Sequence, residues 1–170
     1  GVSGFAIQAN NVNGTNALFL IGNLNASGGL ILKGISNITG NVSAGPIASL
    51  GGTVTGTLTA TGSLVIQSAS SIGGNVSASS IASAGRSTFG GNLTAINGDI
   101  TSGFDDRISG SVMAASGGVM LNPGTSVGGN VVAMKKVTMG NLTSVTGNVT
   151  STTGDVELQF SSASIGGCVT

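Results

Sequence analysis

Charge is what this sequence most obviously lacks. Only 6% of its 170 residues are charged, and five Lys and Arg balance five Asp and Glu to a formal net charge of zero. An ordinary soluble domain has about 25% charged residues, and nucleic-acid-binding domains carry basic patches. The sequence therefore predicts no nucleic-acid partner.

Several chemically useful residue types are absent as well. The chain has no histidine, tryptophan or tyrosine, and only five phenylalanines. Catalysis by histidine and metal binding by histidine are thereby excluded, and most aromatic platforms for stacking sugars or bases are removed. We predict that the chain is not an enzyme and needs no metal or cofactor.

Proline, cysteine and long apolar runs are also scarce. Two prolines beside 31 glycines match neither collagen nor a proline-rich linker, and the single Cys168 cannot form an internal disulfide. The longest apolar run, residues 17–21, is far shorter than the ~20 residues of a membrane-spanning helix. We expect no transmembrane segment.

Because the chain starts at Gly1 without a signal-like segment, we interpret it as a processed protein or a trimmed piece.

The sequence does contain a five-residue repeat, which reads apolar, any residue, Gly or Ser or Thr, polar, apolar, as in Ile72-Gly73-Gly74-Asn75-Val76. Copies begin at residues 20, 38, 54, 72, 89, 108, 127, 145 and 165, in steps of 16 to 20 residues. A small residue follows each of the first eight copies by two positions, and a second apolar segment lies near the middle of each repeat. The small residues are Ala26, Ala44, Ala60, Ala78, Ala95, Ala114, Ala133 and Ser151.

This repeat predicts the fold. Apolar and polar residues alternate with a period of two, and no helical period is sustained. We predict an all-β fold, a single-stranded parallel β-solenoid of about nine coils of ~18 residues that forms one domain over residues 1–170. Right-handed winding follows the crossover preference of parallel strands, and we expect three sides. A left-handed β-helix would repeat the hexapeptide three times per coil, whereas here it occurs once.

Residues 63–66 with 72–78, and Gly129-Asn130-Val131-Val132-Ala133 with Val137, resemble the bactofilins. That resemblance implies a right-handed β-helix that polymerises end to end into nucleotide-free filaments. The richness in Ser, Thr, Asn and Gly also resembles the β-helices of filamentous-haemagglutinin-type adhesins and autotransporter passengers. It favours an extracellular or cell-surface location, with a cytoplasmic filament as the alternative.

Two sets of residues are candidates for function. The first, the Asn ladder, occupies one repeat position, where stacked amides can form hydrogen bonds along the axis. Its members are Asn23, Asn41, Asn75, Asn92, Asn130 and Asn148. The second set lies in the terminal coils, whose unblocked strand edges recruit further strands. Its members are Phe5, Ile7, Val156, Leu158, Phe160, Ile165 and Val169.

The carboxylates leave an enzymatic alternative open. Asp99, Asp105 and Asp106 with Arg107 could form an acid cluster like that of β-helix polysaccharide-degrading enzymes. We interpret residues 103–107 instead as a solvated loop.

The predicted function is a structural subunit whose partner is itself, in a head-to-tail homopolymer. The first alternative is a β-helical adhesin or spacer segment with an unknown surface ligand, and the second is a polysaccharide-degrading enzyme.

Overall fold

The computed structural model describes residues 5–159 and 162–170, and within them every regular element is a strand. The first nine strands are β1 (Phe5–Ala9), β2 (Val12–Gly14), β3 (Phe19–Ile21), β4 (Asn23–Ala26), β5 (Leu30–Thr39), β6 (Val42–Ala44), β7 (Ile47–Val54), β8 (Leu58–Ala60) and β9 (Ser63–Ile66). The next nine are β10 (Ser71–Ile72), β11 (Val76–Ala78), β12 (Ser80–Ser83), β13 (Thr88–Phe89), β14 (Leu93–Ala95), β15 (Ile100–Thr101), β16 (Arg107–Ile108), β17 (Val112–Ala114) and β18 (Val119–Leu121). The last seven are β19 (Ser126–Val127), β20 (Val131–Ala133), β21 (Val137–Met139), β22 (Ser144–Val145), β23 (Val149–Ser151), β24 (Val156–Leu158) and β25 (Ser164–Ile165).

These strands stack into a parallel β-solenoid with three strand segments per coil, as predicted. Face A is a nine-stranded sheet in the order β1-β4-β6-β8-β11-β14-β17-β20-β23. Face B comprises β2, the start of β5, the start of β7, β9, β12, β15, β18, β21 and β24. Face C comprises β3, the ends of β5 and β7, β10, β13, β16, β19, β22 and β25. Faces B and C form one 16-stranded sheet because β5 and β7 continue around the corner between them. The nine coils span about 43 Å at a strand spacing of ~4.8 Å.

The core is a set of apolar columns that run along the solenoid axis. Face A contributes two inward residues per coil, a branched aliphatic residue and the predicted small residue. Ala78, for example, is fully buried and pairs with Ala95 of the next coil, which confirms the predicted alanine column. Faces B and C contribute further inward columns, which contain Ile81 and Phe89 respectively. The stack supplies the core, because no single coil encloses one.

The corner between faces A and B accounts for most of the variation in repeat length. Ile47 follows Ala44 by three positions in the repeat of 16 residues, whereas Ile100 follows Ala95 by five positions in a repeat of 19. The strand register on face A is unchanged across both repeats. Insertions therefore enlarge a surface corner and leave the core columns aligned.

Candidate assembly surfaces

The coil of β23, β24 and β25 leaves apolar core positions uncovered. Leu158 continues the inward column of Met139, but half of its surface is exposed, whereas Met139 is fully buried. Val156 and Ile165 are half-buried, whereas Val137 and Val145 one coil earlier are buried. Among the described residues, β24 and β25 pair with a strand on one side only. Four of the seven predicted terminal-coil residues, Val156, Leu158, Ile165 and Val169, thus lie at one end of the described rod.

The other predicted terminal residues are distributed differently. Ile7 is half-buried in β1, at the opposite end of face A. The backbone of Phe5 belongs to β1 and pairs with Asn23. Phe160 lies outside the described residues. Val169 extends the stack beyond β23 through a parallel bridge to Val149, and its side chain is half-exposed.

The Asn ladder lies at the corner between faces C and A. All six ladder side chains accept, through Oδ1, a hydrogen bond from the backbone N–H at the same position of the next coil. Asn92 Oδ1 accepts from Ser111 at 2.8 Å, and Asn130 Oδ1 accepts from Asn148 at 2.8 Å. The ladder bonds therefore run from backbone N–H groups to side-chain oxygens. The predicted bonds between stacked side-chain amides are not the ones that form.

A close approach explains why glycine precedes the ladder positions. A Cβ on Gly91 would collide with Oδ1 and the backbone N of Asn75, and one on Gly147 would collide with Oδ1 of Asn130. The asparagine side chain passes over the glycine of the next coil to reach the following N–H group. The Gly-Asn pair in the repeat is therefore one structural unit.

A second polar column, which we did not predict from the sequence, lies inside the corner between faces B and C. We call it the corner column, and its members are Ser36, Ser70, Ser87, Asp106, Thr125 and Thr143. All six are nearly or fully buried. Among the described residues, no buried side-chain nitrogen or oxygen lacks a hydrogen-bond partner. The signal in the sequence is a polar residue two positions before the first apolar residue of the repeat, as Ser70 precedes Ile72.

Asp106 corrects one interpretation. The expected solvated loop holds for Asp105, which is exposed, but Asp106 is fully buried. Its Oδ1 accepts from the backbone N–H of Ser87 at 2.8 Å, and its Oδ2 accepts from the N–H of Gly103 at 2.7 Å. Two backbone donors replace the water that the carboxylate loses on burial.

The backbone just before the corner column is left-handed in successive coils. Ala69, Arg86, Asp105 and Leu142 have φ between 55° and 58°, and Gly124 at the same position has φ 78°. Each directly precedes a corner-column residue. A left-handed conformation at a residue other than glycine costs about 1–3 kcal/mol. The hydrogen bonds of the corner column offset this cost.

The structure does not assemble the acids into one cluster. Asp99 lies at the corner between faces A and B, where its Oδ1 accepts from the N–H of Gly118 at 2.7 Å. Asp105 and Asp106 lie at the corner between faces B and C, one exposed and one buried. Within residues 5–159 and 162–170, no group of three or more metal-ligating side chains is close enough to hold an ion. The same residues include no helix that is long and apolar enough to cross a membrane.

The chain was compared with models of known protein families. The family model described as "Bactofilin: Polymer-forming cytoskeletal" matches residues 11–94, which are 84 of the 170 residues. The chain is a bactofilin-like β-solenoid. The resemblance inferred from the repeat is confirmed, and the matched segment contains the first coils of the bactofilin-like stack. No curated protein and no solved structure matches the chain.

Proposed function

We propose that this bactofilin-like chain is a structural subunit that polymerises by stacking its coils end to end, without catalysis. The family that it matches is described as polymer-forming and cytoskeletal, which supports self-association. End-to-end stacking is the mode that we add. It extends to other copies the parallel pairing that already joins each coil to the next.

The uncovered cross-section at β24 and β25 carries this proposal. Leu158 is half exposed at a position that is fully buried one coil earlier, and it belongs to β24, which like β25 is an edge strand among the described residues. Edge strands that are not blunted recruit further strands. The charged residues of residues 149–170 are Asp155 and Glu157, and Glu157 already forms an ion pair with Lys136 of the preceding coil. A coil added there would bury apolar surface and continue three hydrogen-bonded columns.

The alternatives receive less support. The polysaccharide-degrading alternative required several acids on one face, whereas Asp99 lies at a different corner from Asp105 and Asp106. Nothing in the family match points to an adhesin or a spacer. Because that family is described as cytoskeletal, it favours the cytoplasmic alternative, and the extracellular expectation draws no support from it.

Negative-stain microscopy of the purified chain, combined with high-speed sedimentation, tests this function. We expect filaments many times longer than the ~43 Å of one nine-coil stack. Filaments should form without added nucleotide or metal. Discrete rods of ~43 Å at all protein concentrations would contradict the proposal and favour a monomeric spacer.

A further inference from the structure

Among the strands of residues 5–159 and 162–170, those of face A carry no charged residue, whereas faces B and C each include at least one. Its outward side chains are Gln8, Asn25, Ser43, Thr59, Ser77, Thr94, Met113, Val132 and Thr150. By contrast, Lys33 and Glu157 belong to strands of face B, and Arg107 belongs to a strand of face C. The remaining charged residues lie in the corners. The Asn ladder, along one border of face A, is also uncharged.

Four large apolar side chains are exposed together on face A or beside it. We call them the apolar patch: Ile96, Met113, Val132 and Met134. Met113 and Val132 are paired outward residues of adjacent strands. Ile96 and Met134 directly follow the inward alanines of their strands, at the border with the next corner. Exposed apolar groups that cluster in this way mark interaction surfaces.

The size of face A indicates what kind of partner would cover it. Three residues of strand across nine coils make a surface of roughly 10 Å by 43 Å, or about 430 Å² per copy. Two such faces would bury roughly 860 Å², below the ~1,200–2,000 Å² of stable protein complexes. Two isolated subunits would therefore separate. Two filaments would not, since the same weak contact recurs at every subunit along their length.

We propose that face A is the surface through which filaments of this chain associate side by side, each apolar patch lying against that of a second copy. This inference rests on the proposed polymerisation. A two-fold contact places the same residues of both copies opposite one another, so an uncharged, partly apolar face is complementary to itself. The same contact through face C would bring Arg107 near its own copy, with repulsion between like charges.

Two methionines of one coil provide a matched test. Met113 is outward on face A and 43% exposed, and Met120 is outward on face B and 45% exposed. Met113→Lys would place an unpaired ammonium in the lateral contact, whereas Met120→Lys adds the same charge to the same coil outside it. Both side chains are half exposed, so we expect both variants to retain the wild-type melting temperature.

The measurement is differential sedimentation of the polymerised full chain, with filament widths read by negative stain. Wild-type and Met120→Lys filaments should form bundles that pellet at low speed. Met113→Lys should form single filaments that stay in the low-speed supernatant and pellet only at high speed. Added salt should restore part of its bundling by screening the new charge.

The outcomes separate this inference from the function on which it rests. Single wild-type filaments, or bundling by Met113→Lys equal to wild type, would overturn the lateral contact while leaving polymerisation intact. Equal loss of bundling in Met120→Lys would overturn it too, because any added charge would then suffice. Absence of filaments would refute both proposals. Pelleting of wild-type single filaments with vesicles of zwitterionic phosphatidylcholine alone, lost in Met113→Lys, would assign face A to lipid instead.

Discussion

The carboxylate of Asp106 accepts a hydrogen bond from the backbone N–H of Ser87, one coil earlier, at 2.8 Å. The side chain of Ser87 makes the equivalent bond, accepting from the N–H of Ser70 at 3.3 Å. The column thus links three successive coils from the inside. Ser70 and Asp106 differ in the bond that each side chain makes with the backbone three residues earlier. The hydroxyl of Ser70 donates to the carbonyl of Gln67, whereas the carboxylate of Asp106 accepts from the N–H of Gly103. The carboxylate is therefore suited to a corner whose backbone presents a donor.

We expect Asp106→Asn to destabilise the solenoid. The amide has one acceptor oxygen, so its NH2 group would face one of two buried N–H donors. Leaving a buried donor unpaired costs about 1–3 kcal/mol, which lowers the melting temperature by several degrees in a chain of this size. Thermal unfolding followed by circular dichroism measures the change.

Asp105→Asn is the control for this substitution, because it removes the same charge from the neighbouring, exposed residue. It should leave the melting temperature nearly unchanged. Equal melting temperatures for the two variants would mean that the second backbone hydrogen bond accepted by the Asp106 carboxylate contributes nothing to stability.

For the Asn ladder, at the corner between faces C and A, we expect a smaller loss of stability. Asn92→Ala removes the acceptor for the N–H of Ser111, and water replaces part of the bond because Asn92 is exposed. We expect a loss of about 0.5–1.5 kcal/mol. Asn92→Asp keeps an oxygen at that place and should lose less. If urea unfolding ranks Asp below Ala in stability, the ladder bond is not what this asparagine supplies.

The repeat predicted the fold because its information is redundant. Each coil repeats the same alternation of apolar and polar residues, so the inward positions can be identified although the repeat length varies from 16 to 20 residues. Ala78, for example, is buried as the alanine column predicts. The same regularity made the strand order predictable, since every strand pairs with its equivalents one coil away.

The corner between faces B and C could not be predicted in the same way. Its left-handed position is occupied by Ala69, Arg86 and Leu142, none of which favours that conformation by itself. The neighbourhood of Asp106, between Asp105 and Arg107, also has the composition of an exposed turn. Only stacking against adjacent coils fixes the left-handed backbone at this corner and turns Asp106 inward, and that is a tertiary effect. Assembly surfaces are harder still to predict, since they depend on a second copy.

The alanine column gives a prediction about packing. Ala78→Leu would add three carbon atoms to a fully buried site between adjacent coils, and overpacking of this kind costs about 1–3 kcal/mol. Ala82→Leu is the matched control, because Ala82 is an exposed, outward residue of β12 in the same coil. Thermal unfolding should show a lower melting temperature for Ala78→Leu than for Ala82→Leu. Equal stability of the two variants would show that the alanine column can accommodate a leucine side chain without strain.

The final prediction concerns the ends, where we propose that filaments grow. Leu158→Lys places an ammonium at a core column position that is half exposed in the single rod, so the rod itself should stay folded. Stacking another coil there would bury the charge without a partner, at a cost of several kcal/mol for each junction. We expect short soluble rods from this variant, measured by negative stain and analytical ultracentrifugation. Met120→Lys, 45% exposed but outward, should form filaments of wild-type length. Long filaments from Leu158→Lys would show that subunits meet through another surface, and equal shortening in both variants would point to charge alone.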